Sequence, residues 1–482
     1  SGRAGIPAMS AFRRFAAGYP PRPDLFRPTK VKMANEFQGK HVTVMGLGRH
    51  GGGLSAVRYL VRAGAIVRVT DCASPLDLHD VVAQLTDLPV AELHFGKHRI
   101  EHFADADLVV VNPAVRPTSP FVKAAAAEGI HVTSEIELFL QRCPARIVGV
   151  TGSCGKSTTA AMLAEIGKTS GRCVWLGGNI ERSLLPELDS IARDDLVVLE
   201  LSSFQLAWLN PDARRPDIVV ITNCEPNHLD WHGTYDDYVA AKREIFDPQR
   251  GNQVVVLGPD LCSGDWIRNE ATRVVDGWPL DRIPRLQVLG IHNRRNAALA
   301  AAAATAFGFP RQAVEEGLRQ FQGLPHRLES AGTIAGRQFI NDSQATTPAA
   351  TSAALASVDG PCWLLAGGAS KGASLADLAA TIRRQCRGAA FFGETGNELQ
   401  AAVRQFAPDF DTASVPRLVD AVQALWPKTR PGDVILLSPA CSSRDQYLDY
   451  AQRADDFRAA MRQIAAQHGG SATRHQVAPG LV

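Results

Sequence analysis

The chain has 482 residues, 45% hydrophobic and 21% charged, with 51 Lys and Arg against 49 Asp and Glu and a formal net charge of +2. At roughly 100–200 residues per domain, this length gives two to four domains that each bury a core, which excludes a small scaffold dependent on staples. The charge balance offers no long-range attraction for nucleic acid or an anionic membrane, so any anionic ligand must be held by local groups.

Residues 1–38 lack periodicity and are read as a flexible N-terminal extension. The Arg/Pro-rich stretch from Phe12 to Lys32 lacks the apolar core of a signal peptide, and no apolar run in the chain reaches the ~18–20 residues of a membrane span. Nine cysteines, at 72, 143, 154, 173, 224, 262, 362, 386 and 441, contain no C-x-x-C pair. An odd, scattered set predicts neither a disulfide framework nor a zinc ribbon and fits a reducing cytoplasm.

From about residue 39, short β-branched runs alternate with Ala/Leu-rich stretches of helical spacing, which predicts an α/β fold of mainly parallel sheets. Strands are expected at 41–45, 66–70, 108–111, 147–150, 196–199, 218–221, 254–257, 363–366 and 434–437. Breaks near Cys143-Pro144 and Gly323-Pro325 divide them into three domains, 39–142, 143–323 and 324–464, followed by a flexible tail at 465–482.

Two glycine-rich turns follow predicted strands. The first, Gly46-Leu47-Gly48-Arg49-His50-Gly51, fits G-x-G-x-x-G, and Asp71 stands twenty residues past its last glycine, as in dinucleotide-binding units. Physically, the glycines only let backbone N–H groups approach an anion, so any diphosphate is a candidate, and a tight turn without ligand is the competing reading. The second turn, Thr151-Gly152-Ser153-Cys154-Gly155-Lys156-Ser157-Thr158, leads from an apolar strand into a helix. Its amides are suited to cradle phosphate oxygens, Lys156 to neutralise them and Ser157 to ligate Mg²⁺. Val150 stands where G-x-x-x-x-G-K has its first glycine.

Downstream, Glu200 closes the apolar run at 196–199, at the strand end where parallel sheets place ligands. His228 follows another apolar strand and is a candidate metal ligand or a packed ring. Lys242 lies on a helical stretch where most lysines are merely solvated.

Together with Glu200-Leu201-Ser202-Ser203, Asn227-His228-Leu229-Asp230, Tyr238-Val239-Ala240-Ala241-Lys242, Gly290-Ile291-His292-Asn293-Arg294-Arg295-Asn296, Leu324-Pro325-His326-Arg327-Leu328-Glu329 and Asn341-Asp342-Ser343, the second turn resembles the ordered motifs of the Mur ligases. These are ATP-dependent amino-acid ligases of bacterial peptidoglycan synthesis, and the resemblance covers roughly residues 40–462. The segment Leu437-Ser438-Pro439-Ala440-Cys441-Ser442-Ser443, with Asp445-Gln446-Tyr447, is most similar to the branch that adds D-glutamate to UDP-N-acetylmuramoyl-L-alanine.

The resemblance implies a Rossmann-like UDP-binding domain, a central P-loop-type ATPase domain and a C-terminal Rossmann-like domain that binds the amino acid. The family's phosphate loop is T-G-x-x-G-K-[ST], so Val150 is no defect. Thr151 to Thr158 would hold the ATP phosphates, Asn293 and Asn296 the adenine, and Arg327 and Asp342 other parts of the nucleotide. Ser157, Glu200, His228 and a carbamylated Lys242 would serve two Mg²⁺ ions, with Lys156, His228 and Lys242 as the catalytic set. Gly48, Arg49, His50, Asp71 and Asn179 would face the UDP substrate, and Thr346, Lys371, Ser443 and Tyr450 the glutamate. The implied partners are UDP-N-acetylmuramoyl-L-alanine and glutamate, with no nucleic acid or membrane and a monomeric chain.

Three positions depart from the family pattern: Gln344 where Lys is common, Tyr450 for a usual Phe, and no basic residue in Asp71-Cys72-Ala73. They bear on the substrate more than on the reaction class. The alternatives are a related Mur-type or folylpolyglutamate-type ligase and, from another class, an NAD-dependent oxidoreductase, which leaves Lys156, Glu200 and His228 without roles.

Overall fold

The apolar runs expected to be strands all are strands in the computed structural model, which describes residues 36–48, 51–180, 182–247, 253–261, 263–267, 272–370, 372 and 374–468. In chain order the first sheet contains β1 (His41–Met45), β2 (Ile66–Asp71), β3 (Glu92–Phe95), β4 (Leu108–Val111) and β5 (His131–Ser134), arranged β3-β2-β1-β4-β5. The second contains β6 (Arg146–Thr151), β7 (Val174–Gly178), β8 (Leu196–Glu200), β9 (Ile218–Ile221), β10 (Val254–Leu257) and β11 (Arg273–Asp276), arranged β11-β10-β9-β6-β8-β7. Both sheets are parallel throughout.

The third sheet contains β12 (Glu329–Ile334), β13 (Arg337–Asn341), β14 (Cys362–Gly367), β15 (Cys386–Phe392), β16 (Thr412–Val415) and β17 (Val434–Ala440), arranged β12-β13-β17-β14-β15-β16. Only β12 runs antiparallel to its neighbour. The strands with no matching apolar run are mostly polar or edge elements: β3 carries Glu92 and His94, and β12 and β16 close the edges of the third sheet. One exposed face needs no apolar residues, so the alternation that marks a buried strand is lost.

The described residues form two compact units, one drawn from Ser1–Ala160 and Gly171–Asp276, the other from Ala161–Ser170 and Gly277–Val482. The first unit contains the first two sheets. Its core joins Val42, Val44, Val67 and Val69 of the first sheet with Ile147, Val197, Leu199 and Val219 of the second. Trp208 and Trp231, on connections of the second sheet, donate their indole N–H groups to the carbonyls of Val115 and Ala114 just beyond β4. The second unit packs Phe339, Leu365, Phe392 and Ile435 of its sheet against Phe457, Met461 and Ile464 of helix Tyr450–Gln467.

That helix corrects one boundary: it continues to Gln467, with Ala465 buried, so residues 465–467 are not part of a loose tail. At the other end, Phe37 is buried and Glu36 accepts two hydrogen bonds, at 2.9 and 2.8 Å, from Arg142, so the last residues of the expected extension are built into the first unit. Residues 1–35 and 469–482 lie outside the described residues.

Helix Glu135–Arg142 connects the first sheet to the second and starts on Ser134, whose hydroxyl accepts from Glu137 N. Its carboxyls are buried, and their hydrogen bonds come from neutral groups, with the Arg215 charge acting on Glu137 as well. Ser183 donates to Glu135, while the side-chain amide and backbone N–H of Asn210 donate to Glu137 at 3.0 and 3.2 Å. Burial pushes both carboxyls up from 4.5 to about 7, more than these bonds pull them down.

A carboxyl with a raised folded pKa favours the folded chain fully below its unfolded value, and that advantage is lost as pH rises through the folded value. Glu135→Gln and Glu137→Gln should therefore gain stability relative to wild type as pH rises from 5 to 8, by up to about 3 kcal/mol each. Melting temperatures across that range measure the gap. A gap that does not change with pH contradicts the assignment.

Candidate active site at the carboxyl edge of the central sheet

Strand β6 ends at Thr151 and helix Lys156–Thr169 starts five residues later, so Gly152, Ser153, Cys154 and Gly155 must turn the chain sharply. Gly152 takes φ 149° and Gly155 φ 81°, and a Cβ on Gly152 would lie 1.9 Å from Thr222 Oγ1. The turn is bound to the segment after β9. The Ser153 hydroxyl donates to the Glu225 carbonyl and accepts from Glu225 N, both at 2.8 Å, and lies 2.9 Å from the Tyr238 hydroxyl. Asn223 accepts from Cys154 N and donates to the Cys154 carbonyl, at 2.9 and 3.0 Å. Lys156 Nζ donates to the Ser153 carbonyl at 3.0 Å. The helix starts at Lys156, so its positive end adjoins the loop.

Lys242 comes from the buried side of helix Tyr235–Arg243 and is 1% exposed. Its ammonium donates to the Gly152 carbonyl at 2.8 Å and stands 4.5 Å from the centre of the Tyr238 ring. Burial, with Lys156 adding repulsion, lowers its pKa to about 7.

Glu200, at the end of β8, is 2% exposed. One oxygen accepts from Asn179 Nδ2 at 2.9 Å, and the other is buried without a hydrogen-bond partner. A buried carboxylate oxygen is normally satisfied, so an open one on a phosphate-loop sheet fits a cation ligand. Among the described residues no three His, Cys, Asp or Glu side chains form a ready-made cage.

His228 is exposed, adopts a left-handed φ of 54° and contacts the Phe204 ring at 4.8 Å between centres. One turn further on, His232 lies 2.9 Å from the Ser203 hydroxyl, and burial lowers its pKa to about 4, so it is neutral.

At the first sheet's glycine turn, Asp71 holds the turn itself. One carboxylate oxygen accepts from Leu47 N and Gly48 N, at 2.8 and 3.2 Å, and the other from Ala73 N at 2.8 Å. The amide of Gly48 is thus engaged within the protein. Asn179, besides its bond to the Glu200 side chain, donates its backbone N–H to the Glu200 carbonyl, so it sits beside the phosphate-loop sheet. Arg49 and His50 lie outside the described residues.

In the second unit, Asp342 is 7% exposed and accepts from Ser438 Oγ at 2.8 Å and Leu328 N at 3.2 Å. Burial raises it to about 7, against the pull of these bonds and of the Arg327 charge. His326 and Leu328, on either side of Arg327, both have left-handed φ, 62° and 45°, which concentrates backbone strain at this exposed arginine. Asn293 and Asn296 are neighbours on helix Ile291–Phe307, joined by a 3.3 Å hydrogen bond. Ser443 is buried and Thr346 half-buried; the Tyr450 ring meets His326 edge-on at 5.7 Å. Lys371 lies outside the described residues.

Sequence reasoning missed Asn223, which fixes the loop by both ends of its amide, Ser438, which holds Asp342, and the buried Arg453. Asn223 and Ser438 follow or end buried apolar runs, which is a usable signal. Nothing local in the sequence marks Arg453.

Three family models match the chain in order: the Mur ligase MurD-like N-terminal domain over residues 40–134, the Mur ligase middle domain over 150–276 and the Mur ligase glutamate ligase domain over 326–441. A protein of Desulfitobacterium hafniense (strain Y51) named UDP-N-acetylmuramoylalanine--D-glutamate ligase is 33% identical over 449 residues, covering 88% of this chain and 97% of its own length. One of the same name from Roseiflexus sp. (strain RS-1) is 35% identical over 464 residues, with 88% and 98% covered.

Among solved structures, UDP-N-acetylmuramate-alanine ligase from Thermotoga maritima is similar with a TM-score of 0.56 at 19% identity, covering 88% of this chain and 100% of that one. MurF ligase from the same organism, in complex with ADP, gives 0.54 at 17% identity, with 92% and 100% covered. At such identities these two speak to the fold alone. The three domains stand in order along one chain whose relatives match it over nearly their whole length, and the chain belongs to the Mur ligase family.

Proposed function

We propose that the chain is an ATP-dependent ligase that adds D-glutamate to UDP-N-acetylmuramoyl-L-alanine in the cytoplasm. The observation that carries this reading is the phosphate loop fixed beside a buried Glu200 with one open oxygen, in a chain about a third identical to relatives named for that reaction. Joining a carboxylate to an amine in water is uphill, so the carboxylate is activated first. The terminal alanine carboxylate attacks the γ-phosphorus of ATP, ADP leaves, and an acyl phosphate remains. The glutamate amine then attacks the acyl carbon, loses a proton and expels inorganic phosphate.

Lys156 and the loop amides hold the phosphates in line, so positioning and electrostatics supply most of the rate. Ser157 and Glu200 fit a first Mg²⁺, and His228 with a carbamate on Lys242 fit a second. Magnesium there would neutralise phosphate and carboxylate charge as the two anions meet. The carbamate forms when the neutral Lys242 amine attacks carbon dioxide and loses a proton, which turns a buried cation into an anionic oxygen ligand. The burial of Lys242, bonded to Gly152 O and packed on Tyr238, supports this.

Gln344, a departure from the family pattern that the resemblance implies, favours one second reading, a Mur-type ligase for another amino acid. A hydride-transfer enzyme gives the phosphate loop no work.

An ADP-release assay with UDP-N-acetylmuramoyl-L-alanine and a panel of D- and L-amino acids should give turnover with D-glutamate. Turnover with a different amino acid alone selects the second reading. Lys156→Ala should reduce phosphate release dependent on both substrates by about 100-fold or more, and near-normal release contradicts the site. Isotope-labelled bicarbonate should give a carbamate signal by carbon NMR that Lys242→Arg abolishes. An equal signal in that variant places the modification elsewhere.

A further inference from the structure

The second unit contains a charge that this chemistry has not used. Arg453, in the first turns of helix Tyr450–Gln467, is 0% exposed. Its four hydrogen bonds all go to neutral oxygens: Nε to Ser343 Oγ at 3.1 Å, Nη2 to the Ser343 carbonyl at 2.8 Å, and Nη1 to the carbonyls of Cys441 at 3.2 Å and Gly367 at 3.5 Å. Among the described residues no carboxylate forms an ion pair with it. Asp445, whose charge it feels from a distance, instead accepts from Glu394 N at 3.1 Å. A buried, unpaired cation is expensive, and an apolar side chain of similar size would fill the space at lower cost.

The acceptors explain what the guanidinium does there. Gly367 ends β14, Cys441 follows β17 and Ser343 follows β13, and these three strands are adjacent in the order β13-β17-β14. One planar fork therefore ties three neighbouring loops at the carboxyl edge of the sheet, where α/β folds bind ligands. The loops are already close. Ala369 and Ser442 exchange two backbone hydrogen bonds, at 2.8 and 3.1 Å, and a Cβ on Gly368 would lie 2.1 Å from the Ser442 carbonyl. Ser343 Oγ also donates to the Tyr450 carbonyl at 2.8 Å, which adds the start of the arginine's own helix to the set. Thr346, Ser443 and Tyr450, proposed above for the amino acid, all belong to these segments.

We infer that Arg453 is the positioning residue of the amino-acid side of the reaction. It sets the loops that carry the glutamate contacts and adds a fixed positive charge behind them that favours a dicarboxylate. This rests on the functional reading above, but only for the location of the amino acid.

The test compares full-length wild type, Arg453→Met and Arg453→Lys, measuring kcat, KM for each of the three substrates and melting temperature. Arg453→Met should raise KM for the amino acid by about tenfold or more and leave KM for ATP and for the UDP substrate within about twofold. Arg453→Lys, which keeps the charge but loses the fork, should fall between. Equal changes in all three KM values, or a lower melting temperature with unchanged amino-acid KM, overturns the inference.

If Arg453→Met does not fold, Arg453→Lys and Ser343→Ala carry the same comparison. A rise confined to the amino acid supports the role, and its absence refutes it. KM is read for whichever amino acid the wild type accepts, so a substrate other than glutamate overturns the functional reading without deciding this one.

Discussion

Lys242 donates to the Gly152 carbonyl across 90 positions of sequence, and that 2.8 Å bond, with the Tyr238 ring beneath it, joins Asn223 and Glu225 in holding the phosphate loop. Tyr238 supplies the ring, and its hydroxyl reaches Ser153 inside the loop, so amine, ring and loop hold one another in register. A lysine 1% exposed is costly as a cation, and the nearby charge of Lys156 increases the cost. Modification to a carbamate would turn the penalty into a cation ligand on the same sheet edge as Glu200. A chain with a net charge of only +2 would then hold a triphosphate and a carboxylate through local groups.

The same economy recurs through the molecule. Glu135 and Glu137 are buried between two sheets with neutral partners, Asp342 is buried under Ser438, and Arg453 is buried among carbonyls. Each sacrifices stability that an apolar residue would have kept. The carboxyls on helix Glu135–Arg142 sit where the chain crosses from one sheet to the next and accept from Ser183 and Asn210 of the second. Directional bonds of this kind fix orientation, which non-directional apolar packing does less well.

Much of this was legible in the sequence because its causes are local. A buried parallel strand requires a run such as Leu196 to Leu199, and a phosphate turn requires Gly152, where any Cβ would collide with Thr222. Edge strands such as β3 and β12 were not legible, since one wet face removes the apolar pattern. The structural part played by Asp71 was not legible for a different reason. Its spacing from the glycine turn suggested a ligand contact, and the backbone N–H groups that both carboxylate oxygens also accept from are brought there only in three dimensions. Arg453 was invisible because its partner Ser343 is 110 positions away, and an arginine on a polar helix looks solvated until the loops around it are known.

In the proposed reaction the phosphate loop activates a carboxylate by phosphoryl transfer before the amide bond forms. The most direct measurement labels the terminal carboxylate of UDP-N-acetylmuramoyl-L-alanine with a heavy oxygen isotope and recovers the inorganic phosphate after turnover with ATP and D-glutamate. Phosphoryl transfer to the carboxylate predicts one labelled oxygen in each phosphate released, carried there when the acyl phosphate is broken at its acyl carbon. Phosphate that contains no label would contradict it.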